Sequence, residues 1–185
     1  IQDSLREIGI SSVLRSRTSV FKTEEADELF KVLSSVQRIS YEPGIRMALA
    51  TSLLGYSATD LLQLNEQESE WTKIIEKITR VKHIWEEKGI ESAIDDLFNL
   101  FAIRNRISKT KAAERKISNL LHLTELLTKT SREKRLNGKA LLKWFFEKIN
   151  ADDNQASSEE EQLRLESDEG LIQITTIHSS KGLQY

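Results

Sequence analysis

The stretch EWTKIIEKITRVKHIWEEKG, residues 70–89, decides how the middle of this chain folds. Its large apolar residues recur at intervals of three and four, which places them on one face of a helix. Gly89 follows the pattern and is a typical helix stop. We therefore predict a long helix from about Glu70 to Lys88, whose apolar face contains Trp71, Ile74, Ile75, Ile78, Val81, Ile84 and Trp85.

Helical signals continue on both sides of this segment. Thr23 is a candidate N-cap for a helix with acidic residues in its first turn. A helix is expected to start near Ile45, and Ser57 with Asp60 fits a capping box for a short helix before the long one. On the C-terminal side, apolar spacing predicts further helices over residues 91–103, 111–130 and 138–149.

The two ends of the chain differ from this helical middle. Residues 1–8 have an amphipathic helical pattern, and ISSVL (10–14) is typical of a short strand. LIQITTI (171–177) is an apolar, β-branched run that indicates a buried strand. The order predicts a mainly α protein: a helical subdomain inserted in an α/β domain, of which only terminal helix and strand pieces are present. We expect the chain to be an excised part of a longer protein.

Charge is distributed unevenly, although the net charge is only −2. ADDNQASSEEE (151–161) holds five acids, no base and no large apolar residue, which predicts a mobile loop. RNRISKTKAAERK (104–116) carries six bases and one acid, and KTSREKRLNGK (129–139) carries five bases and one acid. Such runs either form solvated helix faces or neutralise phosphates. The candidate contacts to a DNA backbone are Arg104, Arg106, Lys109, Lys111, Arg132, Lys134 and Arg135.

Several classes of site are not indicated. The chain has no cysteine, and its three histidines are far apart, so no metal site is predicted. No apolar run approaches the roughly 20 residues that a membrane helix needs. These features fit a cytoplasmic protein. Trp71, Trp85 and Trp144 lie at helical spacing among aliphatic residues, which favours core packing over base stacking.

Polar residues follow the C-terminal strand as HSSKG (178–182). In open α/β sheets, ligands bind at the carboxyl ends of the strands. Hydroxyl groups and Lys181 can contact phosphate oxygens there, and Gly182 allows close approach of the backbone. The chain has no GxxxxGK[ST] phosphate loop. A phosphate or nucleic-acid contact and an ordinary polar turn both remain open.

The same residues carry a family resemblance. QITTIHSSKGLQY (173–185) resembles motif V of the superfamily 1 UvrD-like DNA helicases, and LRLESDEGLIQITTIHSSKGL (163–183) resembles the RecB branch of that superfamily, the exodeoxyribonuclease V beta subunits. The resemblance extends along the chain through SVFKTEEADELFKVL (19–33), MALATSLLGYSATDLLQL (47–64) and ERKISNLLHLTELL (114–127).

The resemblance implies a domain layout. Residues 1–19 would be an edge of the second RecA-like motor domain, called 2A. Residues 20–165, including the acidic loop 151–161, would be its helical insertion, similar to subdomain 2B. Residues 166–185 would be a strand and motif V of domain 2A. In the family, this motif couples the DNA track to the nucleotide, and the matching positions here are Thr176, His178, Lys181, Gly182 and Gln184.

Two positions depart from the family pattern. Gln184 stands where the family usually has Glu, so a contact to the nucleotide's ribose would lose its charge. LLGYS (53–57) keeps Gly55 but lacks the Gly-Ile-Gly turn with which related helicases grip duplex DNA. We therefore do not expect duplex binding at this turn.

The resemblance also implies a function for the parent protein. It would be an ATP-dependent DNA helicase and exonuclease that unwinds and degrades duplex ends in recombinational double-strand-break repair. ATP and Mg²⁺ would be its cofactors, single-stranded DNA and duplex ends its substrates, and RecC- and RecD-type subunits its partners. This chain has no phosphate loop or nuclease site, so we expect it to bind no cofactor, to be inactive alone, and to guide DNA or contact partner subunits. The alternatives are a helical protein-interaction module that binds no DNA, and another UvrD-like helicase.

Overall fold

The computed structural model describes residues 12–14, 19–110, 112–151, 159–163 and 172–174. Its strands are β1 (Ser12–Leu14) and β2 (Ile172–Ile174). Between them lie the helices α1 (Glu24–Gln37), α2 (Glu42–Leu49), α3 (Ala58–Gln63), α4 (Glu68–Lys88), α5 (Ile90–Leu100), α6 (Ile103–Ile107), α7 (Ala113–Glu133) and α8 (Gly138–Asn150). Short 3₁₀ turns span Val20–Lys22 and Glu159–Glu161. The mainly helical fold is confirmed.

The predicted helix ends are confirmed where local chemistry sets them. The Thr23 hydroxyl accepts a hydrogen bond from the backbone N–H of Ala26 at the start of α1. Ser57 and Asp60 form the complete capping box of α3. Gly89 has a φ of +90° and separates α4 from α5, a backbone conformation that favours glycine. These ends depend only on residues within one helical turn.

Helix α2 begins earlier than the sequence suggested, at Glu42 rather than near Ile45. Pro43 lies in its first turn, where the missing N–H costs nothing because those donors have no partner within a helix. The proline therefore starts the helix rather than preceding it.

The helix predicted over residues 91–103 is interrupted. Helix α5 ends at Leu100, and Ala102 adopts a left-handed conformation with a φ of +50°. Phe101 and Ile103 are both buried, at 5% and 0% exposure. Residues two apart point to different sides of a continuous helix, so the break is what lets both side chains reach the core.

Helix α1 lies at the centre of the core. It packs against α2, α4, α7 and α8, and its buried side chains cover more than one face. Leu29 and Leu33 form one stripe, while Glu28, Val32 and Ser35 are buried beside it. The apolar faces of the surrounding helices close over this helix, so the chain from α1 to α8 shares one hydrophobic core.

The chain enters and leaves the helical region at neighbouring points. Ser19 and Gln162 form an antiparallel backbone bridge, and β1 pairs in parallel with β2 from Ser12 opposite Ile172 to Leu14 opposite Ile174. The Lys22 ammonium group also donates to the carbonyl oxygen of Ile149 at 2.9 Å. Parallel neighbours need a long crossover, and here the crossover contains all the helices described above.

Candidate nucleic-acid interface

The first basic run, residues 104–116, contains exposed cations. The Arg104 side chain is 59% exposed, and its Nη2 atom lies 3.4 Å from an Asp95 carboxylate oxygen, a long contact. Lys109 and Arg115 are exposed and form no ion pair within the described residues. These three groups are available to an anion in solvent.

Arg106 belongs to the same run but has a different environment. Its Nη1 atom donates to the carbonyl oxygens of Leu53 at 2.7 Å and Phe101 at 3.1 Å. A Cβ atom added to Gly55 would lie only 2.4 Å from Arg106 Nε, so the side chain packs directly under the turn at Gly55. Arg106 is therefore bound to the protein backbone through Nη1, unlike the exposed cations of the same run.

The turn from Thr51 to Tyr56 is also held from the other side. The Glu28 carboxylate accepts hydrogen bonds from Ser52 N at 2.8 Å, from Ser52 Oγ at 2.7 Å and from Leu53 N at 3.2 Å. Burial raises the pKa of the Tyr56 phenol at the end of the turn. Sequence reasoning missed the roles of Glu28 and Arg106, because their partners are 24 and 53 residues away in the chain.

The second basic run, residues 129–139, is partly neutralised. Arg132 forms an ion pair with Glu91 at 2.8 Å. The Lys134 ammonium lies 5.7 Å from the centre of the Trp144 ring, within reach of a cation–π interaction. Arg135 is exposed, has a left-handed φ of +48°, and forms no ion pair among the residues described here.

The two basic runs lie at opposite ends of α7. This helix has 21 residues, and at a rise of 1.5 Å per residue it separates its ends by about 30 Å. That distance corresponds to about nine base pairs of duplex DNA at 3.4 Å each. The runs therefore form two separate patches and not one continuous charged surface.

Some sequence-predicted residues lie outside the described part of the chain. They are Lys111 in the first basic run and all of the motif V positions, Thr176, His178, Lys181, Gly182 and Gln184. Their proposed contacts remain predictions. Residues 152–158 of the acidic stretch also lie outside the described residues.

The last residues of the acidic stretch contact the helices. Lys129 pairs with Glu160 at 2.6 Å, and Lys148 pairs with Glu161 at 2.7 Å. The hydrogen bond that the Lys129 ammonium donates to the Glu160 carboxylate raises the pKa of Lys129. The buried His122 ring approaches the carbonyl oxygen of Glu160 through Nε2 at 2.7 Å. The segment 159–163 is therefore held on the surface of α7 and α8.

The tryptophans have the packing role that their spacing predicts. Trp85 is 6% exposed, and Trp71 and Trp144 are half-buried against the core. Trp144 also meets Phe21 edge-on, with ring centres 5.5 Å apart. Core packing of these rings is confirmed.

The described residues hold neither a metal-ligand cluster nor a membrane-spanning helix. They contain no group of three or more histidine, cysteine, aspartate or glutamate side chains placed to hold a metal ion. No helix among them is both long enough and apolar enough to span a bilayer.

Comparison with curated proteins decides the family. The chain is 37% identical over 186 aligned residues to RecBCD enzyme subunit RecB of Escherichia coli, and the match covers all of this chain. It is 33% identical to the RecB subunit of Haemophilus influenzae and 24% identical to that of Mycobacterium tuberculosis, again over its whole length. The chain belongs to the RecB family. No protein-family model matches it.

The match to RecB covers a limited part of those relatives. The chain spans 16% of the E. coli RecB subunit and 15% of the H. influenzae one. The RecB names describe a subunit of a multisubunit enzyme. The resemblance seen in the sequence is thus confirmed at the level of the family, and the RecB match includes the residues that the structure does not describe.

Proposed function

We propose that this chain guides DNA within a RecB-type helicase and exonuclease subunit, which unwinds and degrades duplex DNA ends during recombinational repair. The observation that carries the proposal is the pair of patches with exposed cations at the two ends of α7, where Lys109 and Arg135 form no ion pair among the described residues. Cations without protein partners can neutralise phosphates on any sequence of DNA, which suits a protein that moves along its substrate.

In this proposal the helical region is an insertion in a motor domain. Residues 1–19 and 166–185 belong to the RecA-like domain 2A, and residues 20–165 form a 2B-like subdomain. The parallel pairing of β1 with β2 and the bridge between Ser19 and Gln162 support this layout, because an insertion must leave its host sheet close to where it enters.

ATP and Mg²⁺ would serve the parent enzyme through residues outside this chain. The sequence has no phosphate loop, and the described side chains include no cluster of metal ligands, so the residues present do not fit an ATP–Mg²⁺ site. Motif V, with His178 and Lys181, would couple the motor to DNA, and RecC- and RecD-type subunits would be the partners. The chain alone should not hydrolyse ATP.

Binding of a labelled forked duplex tests the guiding function. At low salt we expect weak binding, which falls as salt rises, with a slope of about 0.9 per phosphate contact in a plot of log K against log salt. Reversing charge at one patch, with Arg104→Glu and Lys109→Glu, should reduce the affinity and this slope. Reversal at the other patch, with Lys134→Glu and Arg135→Glu, should do the same.

A charge-matched control variant distinguishes DNA binding at the two patches from an effect of net charge alone. Lys82→Glu with Lys88→Glu makes an equal change of charge on α4, outside both basic runs, and should leave binding within twofold of the parent. If the parent binds no DNA at low salt, or if the control variant loses as much affinity as the patch variants, the guiding function is wrong. A helical protein-interaction module would then be the better description.

A further inference from the structure

A groove open to solvent lies between α1, α2 and α8. Its volume is about 840 Å³. The floor is formed by Ser34, Ser35 and Gln37 of α1, and Gly138 lets α8 approach closely, because a Cβ there would lie 2.4 Å from the Gln37 amide nitrogen. The close packing of α8 on α1 fixes the width of the groove.

All ionisable groups with a formal charge in the groove lining are cations. They are Lys31, Arg38, Lys139 and Lys143, and no aspartate or glutamate among the described residues lines it. Lys31 is neutralised by Asp27 in the preceding turn of α1. The other three are exposed and form no ion pair in the described part of the chain. The groove is therefore positive although the whole chain carries a net charge of −2.

Exposed rings stand among these cations. Tyr41 is 48% exposed and Phe146 is 52% exposed, unusually high for large aromatic side chains. Both rings are supported from behind: Tyr41 packs on Gly44, where a Cβ would lie 2.7 Å from its ring, and Phe146 meets Phe30 at 5.5 Å between ring centres. The Arg38 guanidinium lies 4.9 Å from the centre of the Tyr41 ring.

We propose that this groove binds single-stranded DNA, with the cations on phosphates and the rings of Tyr41 and Phe146 stacked on unpaired bases. Aromatic faces among cations are the usual platform for single strands, because every base offers a face to stack on. A duplex keeps its bases stacked inside and cannot use these rings. An uncharged peptide would use the rings but not the cations. The inference rests on the proposed function, since it assigns a second DNA contact to the same chain.

Binding of a labelled oligothymidylate by the 185-residue chain tests the groove. Replacing Tyr41 and Phe146 by leucine keeps apolar volume but removes the rings, and should weaken binding on the order of tenfold. Reversing charge with Lys139→Glu and Lys143→Glu should lower the slope of log K against log salt by about 0.7 for each phosphate that is no longer neutralised. Lys82→Glu with Lys88→Glu is again the control for net charge, and circular dichroism checks that each variant is folded.

An abasic oligonucleotide separates stacking from charge. It keeps the phosphates, so the leucine variant and the parent should bind it equally, while the charge-reversed groove should still bind it less. If the leucine variant loses the same affinity for the abasic oligonucleotide as for the oligothymidylate, the rings do not stack on bases and this part of the proposal is wrong. Polyglutamate is the competitor that tests for a protein ligand. If it displaces the oligothymidylate, and if the leucine variant binds polyglutamate as the parent does, the groove binds an acidic protein segment instead.

The outcomes for the groove and for the guiding function are distinguishable. If the groove variants bind oligothymidylate as the parent does, while the variants at the ends of α7 lose the forked duplex, only the groove assignment is overturned. If the parent binds neither forked nor single-stranded DNA at low salt, both are overturned.

Discussion

Two connecting segments of this molecule are held by charged side chains in opposite ways. The turn from Thr51 to Tyr56 is held from within, by a buried Glu28 and a partly buried Arg106 that bind its backbone. The segment 159–163 is held from outside, by the ion pairs of Glu160 and Glu161 with lysines on α7 and α8. In the first segment, charged side chains bind backbone N–H and carbonyl groups. In the second, glutamate carboxylates pair with lysine ammonium groups.

The difference follows from the solvent around each segment. A buried N–H or carbonyl group cannot form a hydrogen bond with water when its protein partner is removed. Removal of the partner therefore costs the full desolvation penalty of that group. Lys129 and Glu160 are 45% and 64% exposed, so both are solvated either way, and salt screens the attraction between them. The Lys148–Glu161 pair is more covered, at 34% and 16% exposure, but it joins two side chains and binds no backbone group. The same distinction divides the first basic run: Arg106 serves the fold, whereas Lys109 is available for binding.

The largest effect is expected at Glu28. Glu28→Ala leaves the N–H groups of Ser52 and Leu53 without their acceptor and should lower the free energy of unfolding by about 3 kcal/mol. Glu28→Gln keeps one acceptor oxygen and should cost less. Urea denaturation of the three proteins measures both changes. If alanine and glutamine variants are equally stable, or if alanine is nearly neutral, Glu28 does not hold the turn.

The second largest loss of stability is expected for a substitution at Gly55, because Arg106 packs against this residue. Its φ is +70°, and an added Cβ would meet Arg106 Nε at 2.4 Å, so Gly55→Ala should cost about 2 kcal/mol from backbone strain and crowding together. Arg106→Ala alone should cost about 1–2 kcal/mol, because the carbonyls of Leu53 and Phe101 lose a charged donor.

The double variant sharpens this prediction. With Arg106 shortened, the crowding at Gly55 is gone, so the double variant should be less destabilised than the sum of the two single changes. Gly89 is the matched control: its φ is +90°, but no atom lies within 4 Å of an added Cβ. Gly89→Ala and Arg106→Ala should therefore add independently. Additivity at Gly55 as well would mean that the arginine does not pack under the turn.

Sequence reasoning was accurate where a structural feature depends on near neighbours. Three helix ends are examples: the caps at Thr23 and Ser57 and the end of α4 at Gly89. Each involves residues within one turn of helix, so the local sequence is enough to predict it. The two strands could also be predicted, because they depend on the period of the apolar residues. The RecB resemblance could be recognised because its motif is contiguous in the sequence.

The same reasoning failed where partners are distant in the chain. Nothing near Arg106 distinguishes it from the cations around it, and its carbonyl partner in Leu53 is 53 residues away. The groove with Tyr41 and Phe146 joins helices that are separated by most of the chain. The break at Ala102 likewise depends on burying both Phe101 and Ile103, which only the assembled core requires.

A smaller effect is expected where the segment 159–163 meets α8. Lys148→Met removes the ion pair with Glu161 and should lower the free energy of unfolding by about 0.5 kcal/mol at low salt. High salt should reduce this difference, because it screens the pair in the parent. Lys148→Arg keeps the pair and is the control. Urea denaturation at two salt concentrations measures the change, and a large loss independent of salt would mean that this segment is held like the inner turn.

The smallest effect concerns Asp60, which is exposed and caps the helix it belongs to. Hydrogen bonds from the Ser57 hydroxyl and backbone hold the pKa of Asp60 below its ordinary value of 3.8. Because the folded pKa is depressed, the stabilisation is fully present above 3.8 and is lost as the pH falls through the folded pKa. Asp60→Asn should remove this acid dependence, and Ser57→Ala should move the pKa of Asp60 back toward its ordinary value. NMR titration of the Ser57 amide and the Asp60 carboxyl measures both, with core amides of α1 as an internal control. If the carboxyl titrates at or above 3.8, the capping box is not formed in solution, and the Ser57 amide must find its acceptor elsewhere.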